Sequence, residues 1–245
     1  MRSQARPFEG RIAIVTGGGT GVGAAIALAL ASQGAALHLI GRRPQPLEAI
    51  ASKARKMGVA AAFHCAELSV PAGQIELMQR LEQNIPQLDL LIQSAAAHSI
   101  GTIEQGNPAE LDILYQTNVR APYLLTQTLL SRLKARQGQI VFINSSSGIA
   151  ATPMSAQYGA TKHALKAIAD SLRGEVNQYG VRVLSVYLGR TATEMQKSIH
   201  IKEDKPYRPE LLLQPADVAS VVVNALLLPR TAEVTDVHIR PMIKS

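Results

Sequence analysis

Short apolar stretches alternate with longer segments of helical spacing along the 245 residues of this chain. The apolar stretches predict buried strands at residues 11–16, 36–40, 60–65, 88–95, 139–144, 181–188 and 233–239. Strands that are apolar throughout and separated by helices indicate a parallel sheet that is covered on both faces. The sequence therefore predicts a doubly wound α/β fold with a parallel, seven-stranded sheet.

Helical spacing predicts the connecting helices at residues 24–32, 46–57, 74–83, 109–136, 155–179 and 215–228. No repeat or linker divides the sequence, so residues 1–245 are expected to form a single domain. Residues 190–213 break the rhythm, because they carry mixed charge, two prolines and no clear period. A segment of this length in a compact domain is usually functional, and we predict that it is a substrate lid.

The predicted lid carries two kinds of side chain. Its apolar residues, which favour an apolar part of the substrate, are Met195, Ile199, Ile201 and residues 211–213. Its lysines favour an acidic carrier or an acyl-coenzyme A as the alternative substrate. They are Lys197, Lys202 and Lys205.

Composition excludes several classes of partner. The 25 basic residues outnumber the 18 acidic ones, but they are scattered, and with no Trp and three Phe the chain offers few stacking platforms for nucleic acid. The longest apolar run, residues 24–31, is far shorter than the roughly 20 residues that cross a bilayer. The N-terminus lacks an apolar secretory region, and a lone cysteine, Cys65, fits a reducing compartment. We therefore expect a cytoplasmic protein with no nucleic-acid or membrane partner.

A glycine-rich segment follows the first predicted strand. It contains Thr16, Gly17, Gly19, Thr20, Gly21, Val22 and Gly23. Glycines let the backbone approach a pyrophosphate closely, and the helix that follows directs its positive N-terminus at the anion. A strand before and a helix after are the context that this motif requires. The segment predicts a dinucleotide site, with a simple tight turn as the alternative.

The second predicted strand leads into Gly41, Arg42 and Arg43. A site of this kind for NAD(H) places an acidic residue there, which accepts a hydrogen bond from the ribose 2′-hydroxyl. Gly41 supplies no carboxylate, whereas the two arginines offer charge-assisted hydrogen bonds to a 2′-phosphate. The pattern favours NADP(H) over NAD(H), and two exposed arginines that merely open a helix are the alternative.

Tyr158 and Lys162 share one face of a predicted helix because they are four residues apart. Ser145 precedes Tyr158 by thirteen residues, just beyond a strand. A free tyrosine has a pKa of about 10, and a neighbouring ammonium together with an oxidised nicotinamide ring favours the phenolate. We therefore expect Lys162 to lower the pKa of Tyr158, which would transfer a proton. A chance pair on a helix surface is the alternative.

Together these motifs resemble the classical short-chain dehydrogenases/reductases over about residues 8–241. The resemblance adds Asn118, within Thr-Asn-Val, and identifies Ser145 within Asn-Ser-Ser-Ser-Gly. It implies a Rossmann fold, a catalytic tetrad of Asn118, Ser145, Tyr158 and Lys162, and reversible hydride transfer between a nicotinamide and a carbonyl compound or alcohol. It also implies a homodimer or homotetramer.

The resemblance implies a role for each member of the tetrad. Ser145 would hold the carbonyl oxygen, Tyr158 would donate the proton, and Lys162 would tune Tyr158 and bind the nicotinamide ribose. Asn118 would hold a water that relays protons to Lys162. Further positions that match cofactor contacts of the family are Glu67, Leu68, Ser94, Ala95, Gly189, Thr191 and Thr193.

Three segments depart from the family pattern. Gln93-Ser94-Ala95-Ala96 stands where Asn-Asn-Ala-Gly is usual, Glu67 replaces an aspartate, and Leu188-Gly189 replaces Pro-Gly. These departures concern loop geometry and leave the tetrad intact.

Two classes of function are open. The first is an oxidoreductase that uses NADP(H) on a ketone, aldehyde or 3-oxoacyl substrate. The second is a nucleotide-sensing regulatory or binding protein without turnover, which has no need of Tyr158 and Lys162 together. No metal is expected, because the six histidines show no ligand spacing. For assembly, the long helices that begin at Ala109 and Ser155 carry apolar residues beyond one face, and we predict that both pair with their copies in a second subunit. On the first helix these residues include Leu124, Leu125, Leu129, Leu130 and Leu133.

Overall fold

A computed structural model describes residues 6–243 of the chain. The strands are β1 (Ile12–Thr16), β2 (Ala36–Gly41), β3 (Ala61–Cys65), β4 (Leu90–Gln93), β5 (Gln139–Ser145), β6 (Arg182–Leu188) and β7 (Asp236–Ile239). The α-helices are α1 (Gly21–Ser32), α2 (Pro44–Lys56), α3 (Pro71–Asn84), α4 (Pro108–Tyr115), α5 (Ala121–Ala135), α6 (Ala156–Val176), α7 (Glu194–Lys202) and α8 (Pro215–Leu226).

All seven strands pair in parallel in the order β3-β2-β1-β4-β5-β6-β7. The predicted doubly wound, seven-stranded parallel sheet is therefore confirmed. The strand order reverses between β1 and β4, so the connections that leave these two strands diverge to opposite faces of the sheet. This divergence opens a crevice at the carboxyl ends of the strands, where ligands bind in folds of this kind.

Two hydrophobic cores lie on the two faces of the sheet. Helices α1, α2 and α8 cover one face, and α3, α5 and α6 cover the other. Successive strand residues alternate between the cores, so Val15 packs beneath the first set of helices and Ile14 beneath the second. Burial on both faces explains why the strands are apolar throughout.

A buried carboxylate holds the amino ends of the two central strands together. Asp89, which directly precedes β4, accepts hydrogen bonds from Arg11 at 2.7 Å, from Arg136 at 3.1 Å and from the backbone N–H of Ile12 at 2.9 Å. Two guanidinium groups and an amide balance the cost of burying its charge. The opposite, carboxyl ends of the strands remain free to form a site.

The predicted helix at residues 109–136 is divided by a π-helical turn, Gln116–Arg120, between α4 and α5. Pro122 is the cause, because it has no N–H to donate to the carbonyl of Asn118 four residues earlier. The chain widens instead, and the N–H of Ala121 donates to the carbonyl of Gln116, five residues back. The turn leaves Asn118 fully buried.

Two further details differ from what the sequence pattern suggests. Residues 190–213 contain a helix, α7, that mixed charge concealed. The leucines expected to face a second subunit lie within this chain's own core, since Leu125, Leu129 and Leu133 are buried and Leu124 and Leu130 pack against them. They therefore give no support to assembly.

Candidate active site

A cleft of about 1000 Å³ runs along the carboxyl ends of the strands. The predicted site residues that line it are Gly17, Gly19, Thr20, Gly21, Val22, Gly23, Arg42, Arg43, Glu67, Leu68, Ser94, Ala95, Ser145, Tyr158, Lys162, Gly189, Thr191 and Thr193. Thr16 and Asn118 lie behind its wall and act through hydrogen bonds. The fold thus brings the predicted positions together in one crevice.

Thr16, the last residue of β1, joins the two loops at the point where the strand order reverses. Its Oγ1 accepts hydrogen bonds from the backbone N–H groups of Ser94 and Ala95, both at 3.0 Å. The loop after β4 is thereby held against the glycine-rich segment. Gly17, with φ of +66°, makes the sharp turn, and a Cβ on it would approach the backbone of Ala95 to 3.1 Å.

Gly23, in the first turn of α1, permits the closest backbone approach in the glycine-rich segment. A Cβ on Gly23 would lie 2.4 Å from the carbonyl oxygen of Gly17. Only glycine lets the helix begin so near the end of β1. The N-terminus of α1, with its unpaired N–H groups, is therefore fixed at the floor of the cleft.

Arg42 follows β2 at one end of the cleft and is largely exposed to solvent. Its guanidinium lies 3.8 Å from the carboxylate of Glu67, which also accepts hydrogen bonds from the N–H and hydroxyl of Ser69. Glu67 is therefore engaged with Ser69 and partly balances the charge of Arg42. Arg43 is exposed just before α2.

Ser145, Tyr158 and Lys162 meet on the opposite wall of the cleft. Ser145 ends β5, and the other two occupy adjacent turns of α6. The ammonium of Lys162 lies 5.7 Å from the centre of the Tyr158 ring and donates a hydrogen bond to the carbonyl of Ile143 at 3.2 Å. Tyr158 is 8% exposed and Lys162 only 2% exposed.

Burial controls the protonation of this group. It raises the pKa of Tyr158 to about 12, while a hydrogen bond with Ser145 acts in the opposite direction and is the smaller effect. The protein's own groups therefore raise the pKa of Tyr158, whereas the sequence predicts that it is lowered. Burial also lowers the pKa of Lys162 to about 8. At pH 7 Tyr158 is a phenol and Lys162 is mostly protonated.

Asn118 connects the loop after β4 to the helix that carries Tyr158. Its Oδ1 accepts a hydrogen bond from the N–H of Ala97 at 2.8 Å, and its Nδ2 donates to the carbonyl of Ala97 at 2.9 Å. The same Nδ2 donates to Thr161 at 3.0 Å, and Thr161 in turn donates to the carbonyl of Tyr158 at 2.8 Å. Both Nδ2 hydrogens and one lone pair of Oδ1 are thus used, so the side chain keeps one acceptor site for a water relay.

The segment predicted as a lid covers one side of the cleft. Thr193 caps α7 by accepting a hydrogen bond from the N–H of Gln196, and Thr191 pairs with Leu213 to close the segment into a loop. Arg190 donates two hydrogen bonds of 2.8 Å to Glu203, which ties the segment before α7 to the C-terminal end of that helix.

Only part of the expected lid surface faces the cleft. Met195, Ile199 and Lys202 line it, whereas Ile201 is 71% exposed and Lys205 lies 3.3 Å from Glu203. The cleft lining does not include Ile201, Lys205, Lys197 or residues 211–213, so it gives no support to substrate contacts by these residues.

Sequence reasoning missed one residue at the centre of the site. His98, in the loop after β4, lines the cleft with its ring centre 4.3 Å from that of Tyr158. Metal-ligand spacing along the chain does not single out His98. The sequence signal that could have identified it as a site residue is its position five residues beyond the end of β4. Gln93 points away from the cleft, since its amide donates to the carbonyl of Pro122 and the hydroxyl of Thr126.

Comparison with known proteins agrees with this geometry. The family model described as short chain dehydrogenase matches residues 11–204. The chain belongs to the short-chain dehydrogenase family. A relative described as an uncharacterized oxidoreductase, from Staphylococcus epidermidis, is 32% identical over 233 residues, which cover 95% of this chain and 97% of that protein. The chain is therefore an oxidoreductase of this family.

Solved structures of the family share the fold. An alcohol dehydrogenase from the archaeon Thermococcus sibiricus, complexed with 5-hydroxy-NADP, is 25% identical with a TM-score of 0.86, and 96% of this chain and 98% of that one are covered. A xylitol dehydrogenase bound to NAD⁺ is 19% identical with a TM-score of 0.82, over 96% and 99% of the two chains, and shows the fold alone.

Residues 6–243 contain neither a membrane-spanning helix nor a cluster of metal ligands. No helix in this range has the length and apolar character needed to cross a bilayer. Nor does any group of three or more potential metal ligands among His, Cys, Asp and Glu come together there.

The close approach at Gly23 gives a stability test. Gly23→Ala should lower the free energy of unfolding by about 1–3 kcal/mol, because the new methyl group displaces the backbone of Gly17. Gly174→Ala is the matched control: it lies in α6 with open space around its Cβ position, and alanine there should be neutral or stabilising by up to about 1 kcal/mol. Urea denaturation measures both. Equal stability of the two variants would contradict the packing described for the glycine-rich segment.

Proposed function

We propose that this short-chain dehydrogenase transfers a hydride between NADP(H) and a carbonyl compound or secondary alcohol. The observation that carries the proposal is the convergence of Ser145, Tyr158 and Lys162 on the wall that faces the glycine-rich segment. A phenol beside a buried ammonium serves proton transfer, and a glycine-rich turn before a helix serves phosphate binding. The same cleft contains the proposed proton-transfer group and the proposed phosphate-binding turn.

The residues present fit a dinucleotide. Gly17 and Gly23 bring the start of α1 to the cleft floor without side chains in the way, and the N-terminus of that helix suits a pyrophosphate. Thr191 and Thr193, on the facing segment, would line the nicotinamide half of the cleft, and their hydroxyl groups donate to the carbonyls of Gly189 and Thr191. When bound, the nicotinamide supplies or accepts the hydride.

The protein's own groups would manage the proton. Tyr158 keeps its proton at neutral pH because burial raises its pKa, so it can donate to the oxygen of a carbonyl that is being reduced. The Ser145 hydroxyl would hold that oxygen and stabilise the charge that develops on it. Lys162 would replenish the proton of Tyr158, and Asn118 would hold the relaying water.

Preference for NADP(H) over NAD(H) rests on the end of β2. Gly41 presents no carboxylate to a ribose 2′-hydroxyl, and the exposed guanidinium of Arg42 is available to a 2′-phosphate. Solved structures in complex with 5-hydroxy-NADP and with NAD⁺ share the fold, so the fold does not determine which cofactor this protein prefers. Glu67 opposes the preference, because its carboxylate lies 3.8 Å from Arg42. We therefore expect a moderate discrimination.

The remaining parts of the proposal concern access and assembly. Residues 190–213 would act as a substrate lid, with Met195 and Ile199 against the substrate. A homodimer or homotetramer remains a prediction, which the exposed apolar side chains of Tyr115 and Tyr123 near the junction of α4 and α5 support. A cytoplasmic location also remains a prediction.

Tyr158→Phe tests the function directly. The variant keeps the ring and its packing but loses the acidic hydroxyl, so turnover should fall by about 100-fold or more. NADPH affinity, measured by fluorescence titration, should stay within about 2-fold. Tyr179→Phe, at a half-exposed tyrosine after α6, is the control and should keep full turnover. NADPH oxidation over a panel of ketones and aldehydes measures the rates.

Two results would contradict this proposal. Retained turnover in Tyr158→Phe would remove the proton donor from the account. NADPH binding by the unmodified protein with no turnover on any carbonyl compound would favour a nucleotide sensor instead.

Arg42→Ala tests the cofactor preference. Loss of one charge-assisted contact to the 2′-phosphate should weaken NADPH binding by about 10-fold and leave NADH within about 2-fold. Arg208→Ala, at an exposed arginine outside the cleft, should change neither affinity. Glu67→Gln should tighten NADPH binding, because it removes the carboxylate that competes for Arg42. Equal affinities of the unmodified protein for the two cofactors would overturn the preference and leave the hydride-transfer proposal standing.

A further inference from the structure

The residues before and after His98 in the chain are both anchored by hydrogen bonds, and they hold His98 at the proposed reaction centre. Its neighbour Ala97 is clamped by the two hydrogen bonds from the Asn118 amide. Its other neighbour, Ser99, donates a hydrogen bond to Gln157 at 3.1 Å, one residue before Tyr158. The imidazole between these anchors packs on the Tyr158 ring at 4.3 Å with an angle of 49° between the planes. Its position is therefore set jointly by Asn118 in the π-helical turn and by α6, which carries Gln157 and Tyr158.

The imidazole has hydrogen-bonding capacity to spare. Neither ring nitrogen of His98 hydrogen-bonds to another residue within the part of the chain that the structure describes, residues 6–243. By contrast, His38 and His64 hydrogen-bond to each other at 3.1 Å. A half-buried imidazole in a cleft, without a protein partner, is a group that a ligand can satisfy.

The charge state of His98 limits which ligand groups suit it. Burial and the nearby positive charges of Lys202, Lys162 and Arg190 lower the pKa of His98 to about 4, while Glu203 acts in the opposite direction. The imidazole is therefore neutral at pH 7, and one ring nitrogen donates while the other accepts. Such a ring suits a hydroxyl or a carbonyl oxygen and offers no formal charge to a carboxylate.

We propose that His98 determines substrate specificity by hydrogen bonding to an oxygen on the carbon next to the reacting carbonyl. This inference rests on the proposed function, since it takes Tyr158 as the group that addresses the reacting oxygen. A ring in contact with Tyr158 borders the substrate immediately beside that oxygen. The favoured substrates are accordingly α-hydroxy carbonyl and α-dicarbonyl compounds, in preference to simple ketones.

Matched substrates and matched variants test the assignment. The substrates are 2,3-butanedione, 3-hydroxy-2-butanone and 2-butanone, which share four carbons and differ in the adjacent oxygen. His98→Phe keeps a ring on Tyr158 and removes both nitrogens. It should lower kcat/KM for the first two substrates by about 10-fold and change that for 2-butanone by less than about 2-fold. The pair 1-phenyl-1,2-propanedione and propiophenone repeats the comparison on larger substrates.

Conservative replacements separate hydrogen bonding from packing. His98→Asn and His98→Gln each restore an amide near one ring nitrogen, and at least one of them should recover most of the lost selectivity. Melting temperature and NADPH affinity of all three variants should match those of the unmodified protein, which excludes a folding defect as the cause.

Each contrary outcome has a separate meaning. Losses of equal size on all substrates, or no loss at all, would assign His98 to packing and overturn the proposal. If the unmodified protein reduces simple ketones or aldehydes but none of the vicinal oxygen compounds, the specificity proposal fails while the proposed function stands. If it reduces no carbonyl compound, both fail.

Discussion

The hydroxyl of Thr16 accepts hydrogen bonds from two backbone N–H groups of the loop after β4, and the shape of the cleft depends on this contact. It lies where the strand order reverses, so the loops that it joins would otherwise separate toward opposite faces of the sheet. Gly17 can approach Ala95 because it lacks a side chain. The floor of the cleft is thus fixed by one side-chain oxygen and by the absence of two Cβ atoms, at Gly17 and Gly23.

The wall opposite is equally constrained, through Asn118. Pro122 withholds an N–H from the helix, the helix widens into a π turn, and Asn118 is buried between Ala97 and Thr161. Thr161 then bonds to the carbonyl of Tyr158. A local defect in one helix therefore positions both the proposed proton donor and the loop that bears His98. Groups that are held in this way need little reorganisation when a substrate binds.

The sheet could be predicted from sequence because each strand is buried on both faces and is therefore apolar, as at residues 139–144 and 181–188. The catalytic positions were also predictable, since Tyr158 and Lys162 are related by one turn of a helix. Hydrophobic periodicity does not predict α7, because its stability comes from Thr193 at its cap and from the ion pair between Arg190, before the helix, and Glu203, just after it. The role of His98 depends on contacts between segments distant in the chain.

An ion pair at the rim of the cleft and the burial of Tyr158 change the cofactor preference and the pKa that the sequence motifs predict. Glu67 reduces the charge that Arg42 presents, and burial moves the pKa of Tyr158 upward although Lys162 lies nearby. Both effects come from three-dimensional surroundings that spacing along the chain does not report.

Transfer of isotope from cofactor to product tests the central claim most directly. The protein would be incubated with 2,3-butanedione or benzaldehyde and with NADPH deuterated at either face of nicotinamide C4, and the alcohol would be analysed by mass spectrometry. The account predicts one deuterium on the carbinol carbon from one of the two labelled cofactors and none from the other. Alcohol without deuterium from both cofactors, or bound NADPH with no alcohol formed, would contradict it.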